Sequence, residues 1–230
     1  MKAVLLCAGM GTRLGSLTTN IPKAMLPIGG RPLIDYSLRY LQTHGFSDVA
    51  INVHYFADSI TSFVGDGSRY GIRVHYSHEK ALLGTAGTLR SLRDYLRNES
   101  AFLVMYGDVL TDQDLMPLIR FHEEKHRSVA TLLLHRRAGT NSRVLIDNQN
   151  RITNFIERPA NEEVGQNLSW ANSGLHIVSR ALLELIPDVD PVDLPRDVFS
   201  QIYKTSPIYG FPIDGFRCAI DSPERYAEAS

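Results

Sequence analysis

Residues 5–28 read LLCAGMGTRLGSLTTNIPKAMLPI. An apolar run ends at Ala8 and is followed at once by Gly9, Gly11, Thr12 and Arg13, so a strand gives way to a loop carrying two glycines. Glycines let backbone N–H groups approach an anion closely, and successive N–H groups form a nest for one. Arg13 adds a guanidinium fork suited to phosphate oxygens. The loop is not a nucleotide P-loop, because no Lys followed by Ser or Thr closes it. It is not a dinucleotide fingerprint either: Gly9, Gly11 and Gly15 are spaced one residue too widely, and no strand ending in an acidic residue follows at the right distance. A glycine pair alone is equally a tight turn beside a surface Arg. The Pro22–Lys23 pair leading into the apolar AMLPI sets this stretch apart.

On either side of it, short apolar runs alternate with amphipathic stretches. Residues 3–8, 49–54, 72–76 and 102–106 read as buried strands. Between them, Leu33, Ile34, Leu38 and Leu41 recur at helical spacing within residues 32–44, and Leu89, Leu92 and Leu96 do so within residues 88–96. Strands alternating with helices predict an α/β fold, with a Rossmann-like sheet flanked by helices and ligands at the carboxyl ends of its strands. The second half adds strand-like runs at 129–135, 144–147, 152–157 and 175–178, with a hairpin turn at Asp147–Asn150, so the mainly parallel sheet becomes mixed. A helical stretch at 197–203 and a Ser-capped, Pro-started helix in SPERYAEAS close the chain. No repeat or linker interrupts it, which predicts one domain over residues 1–230.

A formal net charge of −1 over 230 residues gives no basic field, which argues against nucleic acid as a partner. The apolar run at the start is cut short by Gly9, Gly11 and Arg13, and no stretch is long enough to span a bilayer, so neither a signal peptide nor a membrane partner is expected. Cys7 and Cys218 are the only cysteines, without metal-ligand spacing; both read as inert packing residues in a cytoplasmic protein. HEEKH at 122–126 fits the HExxH zinc pattern, but it lies at a charged helix end beside Arg120 and Arg127, with no third ligand evident.

Further motifs follow the first. EKALLGTAGTL, residues 79–89, runs from a Gly-rich loop into a helix whose start offers N–H groups and a positive dipole end. AFLVMYGD ends a strand on Asp108, at the face where ligands bind such sheets. Asp221, in CAIDSPERY, is a second carboxylate; each of these two taken alone is equally an N-cap or turn residue. Asp112 reads as a helix-entry residue.

The AGxGTRL stretch followed by Pro-Lys and an apolar run resembles the sugar-1-phosphate nucleotidylyltransferases, and the likeness extends more loosely along nearly the whole chain. LGTAG resembles the mannose-1-phosphate and heptose-1-phosphate guanylyltransferases among them. The resemblance implies a GT-A-like nucleotidyltransferase fold with a small sugar-binding lobe. It implies a nucleotide held by Leu6, Ala8, Gly9, Gly11, Thr12, Arg13, Lys23, Glu79, Gly84, Thr85 and Ala86. The sugar phosphate would be held by Gly107, Glu157, Arg158, Asn172 and Gly174, from YGD, FIERP (155–159) and WANSGLHIVS (170–179), with DVFSQI (197–202) also matching that half. Arg13, Lys23 and Asp108 would be catalytic, with Mg2+ at Asp108 and Asp221. The expected partners are a nucleoside triphosphate, GTP favoured, and a mannose- or heptose-type sugar-1-phosphate; uridylyl or thymidylyl transfer to another sugar phosphate, a silent nucleotide-sugar-binding regulator and a phosphocholine cytidylyltransferase are the competing readings. A homo-oligomer is compatible with the sequence. Arg158 stands where the family usually has Lys, and Arg143 where it often has Gly. With the sequence ending soon after Asp221, the β-helix or acetyltransferase domain of longer members is not expected.

Overall fold

The computed structural model describes residues 1–136, 142–157, 170–213 and 215–230. Its strands are β1 (Ala3–Leu6), β2 (Pro27–Ile28), β3 (Arg31–Pro32), β4 (Asp48–Val53), β5 (Arg73–His78), β6 (Ala101–Tyr106), β7 (Val109–Thr111), β8 (Ala130–Arg136), β9 (Ser142–Ile146), β10 (Ile152–Glu157), β11 (Trp170–Ser179), β12 (Ile208–Pro212) and β13 (Arg217–Ala219). The α-helices are α1 (Leu33–Thr43), α2 (Ala57–Val64), α3 (Gly84–Ser91), α4 (Arg93–Leu96), α5 (Leu115–Glu124), α6 (Ser200–Ile202) and α7 (Pro223–Ala229). The fold is α/β, with mixed, mainly parallel strands flanked by helices. The chain divides into two compact units, one of Met1–Leu82, Leu103–Gln113 and Gly215–Ser230, the other of Leu83–Phe102 and Asp114–Asp214.

In the first unit β1 is paired in parallel with β4 on one side and β6 on the other, and β4 continues in parallel to β5. The inner strands are apolar because both faces are covered: Ala3, Val4, Leu5, Val49, Ala50, Ile51, Leu103 and Val104 are all inaccessible to solvent. Helix α1 packs Leu33, Ile34, Leu38 and Leu41 inward, the spacing that its sequence predicts. Parallel strands all end on one side, so residues 7–11, 54, 79 and 107–108 follow the carboxyl ends of β1, β4, β5 and β6. A short antiparallel ladder, β7 with β13, completes this unit.

The second unit carries antiparallel pairs β10–β9, β9–β11 and β11–β8, with β12 parallel to β8. The hairpin turn forms where the sequence predicts it: Asp147 Oδ1 accepts the N–H groups of Gln149 and Arg151, and Asn150 takes a left-handed φ of 63°. Other boundaries differ from expectation. The helix predicted over 88–96 begins at Gly84 and breaks at Leu92 into α3 and α4. The strand predicted at 175–178 runs from Trp170 to Ser179, its pairing with β8 shifting between Asn172 and His176. Asp114, not Asp112, caps α5 by accepting the Met116 N–H, while Asp112 accepts the N–H of Phe216 in the first unit. Helix α5 stops at Glu124 with His122 buried against the Thr131 hydroxyl, so HEEKH is the end of a helix rather than two histidines on one face.

Candidate functional site

The glycine loop is shaped by its own neighbours. Gly11 has φ 67°, and a Cβ there would meet Thr18 Cγ2 at 2.9 Å and Lys23 Cβ at 3.3 Å, so the position demands glycine both for conformation and for room. Its carbonyl accepts the Leu14 N–H and the Thr18 hydroxyl, which starts the 3₁₀ segment Thr12–Thr18 carrying Arg13. Lys23 opens a single turn, Lys23–Met25, after the extended Pro22. The apolar residues after it explain its fixity: Leu26 and Ile28 are buried in a cluster with Leu14, Leu33 and Ile220. That cluster ties the Arg13 segment, the Lys23 turn and the approach to Asp221 into one packed group.

Two cation–carboxylate pairs result. Lys23 Nζ lies 2.5 Å from Asp108 Oδ2, with both side chains largely buried. Arg13 Nη1 lies 3.7 Å from Asp221 Oδ2, and Arg225, on α7, approaches Asp221 Oδ1 at 3.6 Å. The carboxylates are neighbours by backbone pairing: the β7–β13 ladder places Ala219 opposite Val109, and the Ile220 N–H then donates to the Asp108 carbonyl. Arg13 is 60% exposed and reaches into solvent, whereas Lys23 is held at 12%. Gly107 is seated by its N–H on the Leu6 carbonyl. Cys7 is buried there, its thiol pushed up by burial and further by the charge of Asp108, in keeping with an inert role.

Glu79, just beyond β5, is 7% exposed. Its Oε1 accepts from Asn52 Nδ2 at 2.8 Å, and Asn52 Oδ1 accepts the N–H groups of Cys7 and Ala8. Asn52 and Arg225 escape motif reading, although an Asn inside the apolar strand DVAINV is a signal in itself, since a buried polar side chain must find partners. Leu6, Ala8, Gly9, Gly11, Thr12, Arg13, Lys23, Glu79, Gly107, Asp108 and Asp221 therefore all belong to the first unit.

The remaining expected residues belong to the second unit. At the start of α3 the Val192 carbonyl accepts the N–H groups of Ala86 and Gly87, Val192 N–H returns to Leu83, and Thr85 Oγ1 joins Asp193 and the Leu194 N–H. Cβ atoms at Gly84 and Gly87 would lie 2.3 Å from the Val192 carbonyl and 2.6 Å from Asp190 Oδ1. Both glycines of LGTAG thus have a packing reason, and two helix-start N–H groups are engaged by the chain itself. Asn172 Oδ1 accepts the N–H of Gly174, whose φ is 83°. Glu157 pairs with Ser142 and Trp170 with Val144, so the ends of β10 and β11 that carry Glu157 and Asn172 both run toward the Ser142 end of β9. Arg158 lies outside the described residues.

Among the described residues no cluster of three or more His, Cys, Asp or Glu could hold a metal unaided. Asp108 and Asp221, each paired with a cation, could take part in holding a divalent ion only together with substrate phosphates, since magnesium is commonly bound by one or two carboxylates plus phosphates. Among the same residues no helix is long and apolar enough to cross a membrane.

Comparison with known proteins identifies the family. A family model described as nucleotidyl transferase matches residues 2–205. The chain is 32% identical over 229 residues to a UTP–glucose-1-phosphate uridylyltransferase of Synechocystis, covering 93% of this chain and 58% of that protein. It is 31% identical over 236 residues to a mannose-1-phosphate guanylyltransferase of Mycobacterium tuberculosis, covering 100% and 64%. The chain thus spans about three fifths of the length of these relatives. The crystal structure of HddC from Yersinia pseudotuberculosis, solved also with GMP-PN, superposes with a TM-score of 0.82 at 26% identity, over 99% of this chain and 97% of that one.

Proposed function

The chain belongs to the nucleotidyl transferase family and has its GT-A-like fold, and from that premise we propose that it transfers a nucleotidyl group from GTP to a mannose- or heptose-type sugar-1-phosphate, forming an NDP-sugar and pyrophosphate. We take residues 1–230 to act as one nucleotidyltransferase domain, in the cytoplasm, where Cys7 and Cys218 stay reduced. The observation that carries the reading is the double pairing of Lys23 with Asp108 and of Arg13 with Asp221.

The reaction is an in-line displacement. An anionic oxygen of the sugar-1-phosphate attacks the α-phosphorus of the triphosphate, the bond to the bridging oxygen breaks, and pyrophosphate leaves with that electron pair. The nucleophile is already ionised, so catalysis rests on positioning and charge neutralisation. Nest N–H groups of the Gly9–Gly11 loop and the solvent-reaching Arg13 would receive the outer phosphates. Lys23, on its short anchored turn, would face the α-phosphate. Asp108 and Asp221 would hold magnesium, which supplies further neutralisation of phosphate charge when bound. Glu157, Arg158, Asn172 and Gly174 would receive the sugar phosphate.

Glu79 supports GTP as donor. A carboxylate only accepts hydrogen bonds, at about four lone-pair sites, so the Asn52 bond and two donors of a base are within its capacity. Guanine presents adjacent N1–H and N2–H donors, whereas uracil and thymine present one N–H between two carbonyl oxygens.

The test is a matrix of nucleoside triphosphates against sugar-1-phosphates with magnesium chloride, read by pyrophosphate release. GTP with mannose- or heptose-1-phosphate turns over fastest, and Glu79→Gln reduces the GTP-over-UTP ratio by at least about tenfold, the scale for a lost hydrogen bond to a charged group. Faster turnover of UTP with glucose-1-phosphate, the activity named for the Synechocystis relative, would overturn the substrate assignment, and no turnover of any pair would favour a silent nucleotide-sugar binder.

A further inference from the structure

Asn52 stands at a junction that none of the motifs marks. It is 4% exposed and lies in register with Leu6, the last residue of β1. Beyond Leu6 the chain peels away toward the glycine loop, and the N–H groups of Cys7 and Ala8 leave the strand ladder. Asn52 Oδ1 accepts them at 2.7 and 3.3 Å. Through Nδ2, the same amide donates to Glu79 Oε1 at 2.8 Å. The backbone of Glu79 is fixed from the same strand end, its N–H donating to the Val53 carbonyl and its carbonyl facing His54 Nδ1.

The chemistry of this junction is selective. A primary amide carries both an acceptor and donors. A carboxylate at position 52 would accept the two N–H groups but oppose a second negative charge to Glu79, and an aliphatic side chain would serve neither side.

We propose that Asn52 is a positioning residue for the nucleotide, setting with one amide both the entry to the phosphate loop and the carboxylate that receives the base. This rests on the roles given above to Gly9–Gly11 and Glu79. The consequence is coupling: the phosphate seat and the base seat do not move independently, and a change at position 52 acts on nucleotide binding at both.

Exchanging the two groups tests this. N52D keeps the acceptor but sets carboxylate against carboxylate; N52D/E79Q restores a hydrogen bond of reversed direction between the same positions. The probe is inorganic triphosphate with magnesium chloride, which has phosphates and no base, measured by calorimetry on the full chain. N52D weakens triphosphate binding by at least about tenfold, the scale for losing a hydrogen bond to a charged group. The exchange variant recovers it to within about threefold. The KM for the sugar-1-phosphate stays within about twofold in both variants, which a general loss of structure would not allow.

Unaltered triphosphate affinity in N52D overturns the proposal, as does an exchange variant that fails to recover it. If N52D does not fold, the exchange variant decides alone: native triphosphate affinity supports the coupling, and weak affinity rejects it. Triphosphate binding in the expected pattern, without turnover of any substrate pair, would sink the proposed activity and leave the role of Asn52 standing. No triphosphate binding to the unaltered chain would overturn both.

Discussion

Replacing Gly107 by Ala probes how tightly the ends of β1 and β6 are packed beside Asp108. The backbone of Gly107 lies outside the left-handed region, so Ala adds a Cβ without a conformational penalty. That carbon would lie 2.6 Å from Cys7 Sγ and 2.9 Å from the Leu6 carbonyl oxygen, well inside the roughly 3.5–4.0 Å of a favourable contact. The Leu6 oxygen has little freedom, because it accepts the Gly107 N–H and Leu6 is held in register with Asn52 and Tyr106. Overpacking a buried position costs about 1–3 kcal/mol. A chain of this length loses about 2–4 °C of Tm per kcal/mol, so Gly107→Ala is expected to melt about 2–12 °C lower. Because Asp108 follows directly, a shift of about 1 Å also costs on the order of 10²-fold in kcat. Cys7→Ala removes the sulfur and leaves the Leu6 contact, so the double variant regains about half of the lost stability, a coupling read from the mutant cycle. Scanning fluorimetry and pyrophosphate release follow the two effects. A Gly107→Ala protein matching the unaltered chain to within about 1 °C and about twofold in kcat would refute the reasoning.

Lys23→Ala leaves Asp108 without the cation seen at 2.5 Å and lowers kcat with saturating substrates by about 10²–10³; normal turnover would remove Lys23 from the mechanism. Acid stability follows from two buried histidines, since burial lowers His122 to about 4 and His176 to about 3 from 6.5. Both stay neutral in the folded chain and protonate once unfolded, so stability is complete above pH 6.5 and falls as pH drops from there toward 4, by on the order of 2–3 kcal/mol per unit for the pair. Urea midpoints measured between pH 7 and 4.5 check this, and a flat profile would contradict it.

Much of the architecture is legible without coordinates. The apolar runs at β1, β4 and β6, and the helical spacing of Leu33, Ile34, Leu38 and Leu41, encode buried strands and a one-faced helix through local periodicity alone. Gly9, Gly11, Arg13, Pro22 and Lys23 are legible for a related reason: they lie within 15 residues of one another, and their backbone demands are local. Asp108 stands out because a strand's carboxyl end is where an acidic residue meets a ligand.

Long-range register decides the rest. Asn52 reaches Cys7 across 45 residues and Glu79 across 27, and only the parallel pairing of β1, β4 and β5 brings those atoms together. The same holds for Asp221, which reaches Arg13 because the β7–β13 ladder returns the end of the chain beside Asp108. LGTAG shows how a motif is revised by packing: its glycines admit the 190–193 segment, whose Val192 carbonyl takes the N–H groups of Ala86 and Gly87. Periodicity and side-chain type encode the inner strands, the buried face of α1 and the groups available for phosphate chemistry, but not short ladders such as β7–β13. Tertiary structure decided which charges face each other and which N–H groups are engaged, because those depend on atoms that only folding brings within hydrogen-bond distance.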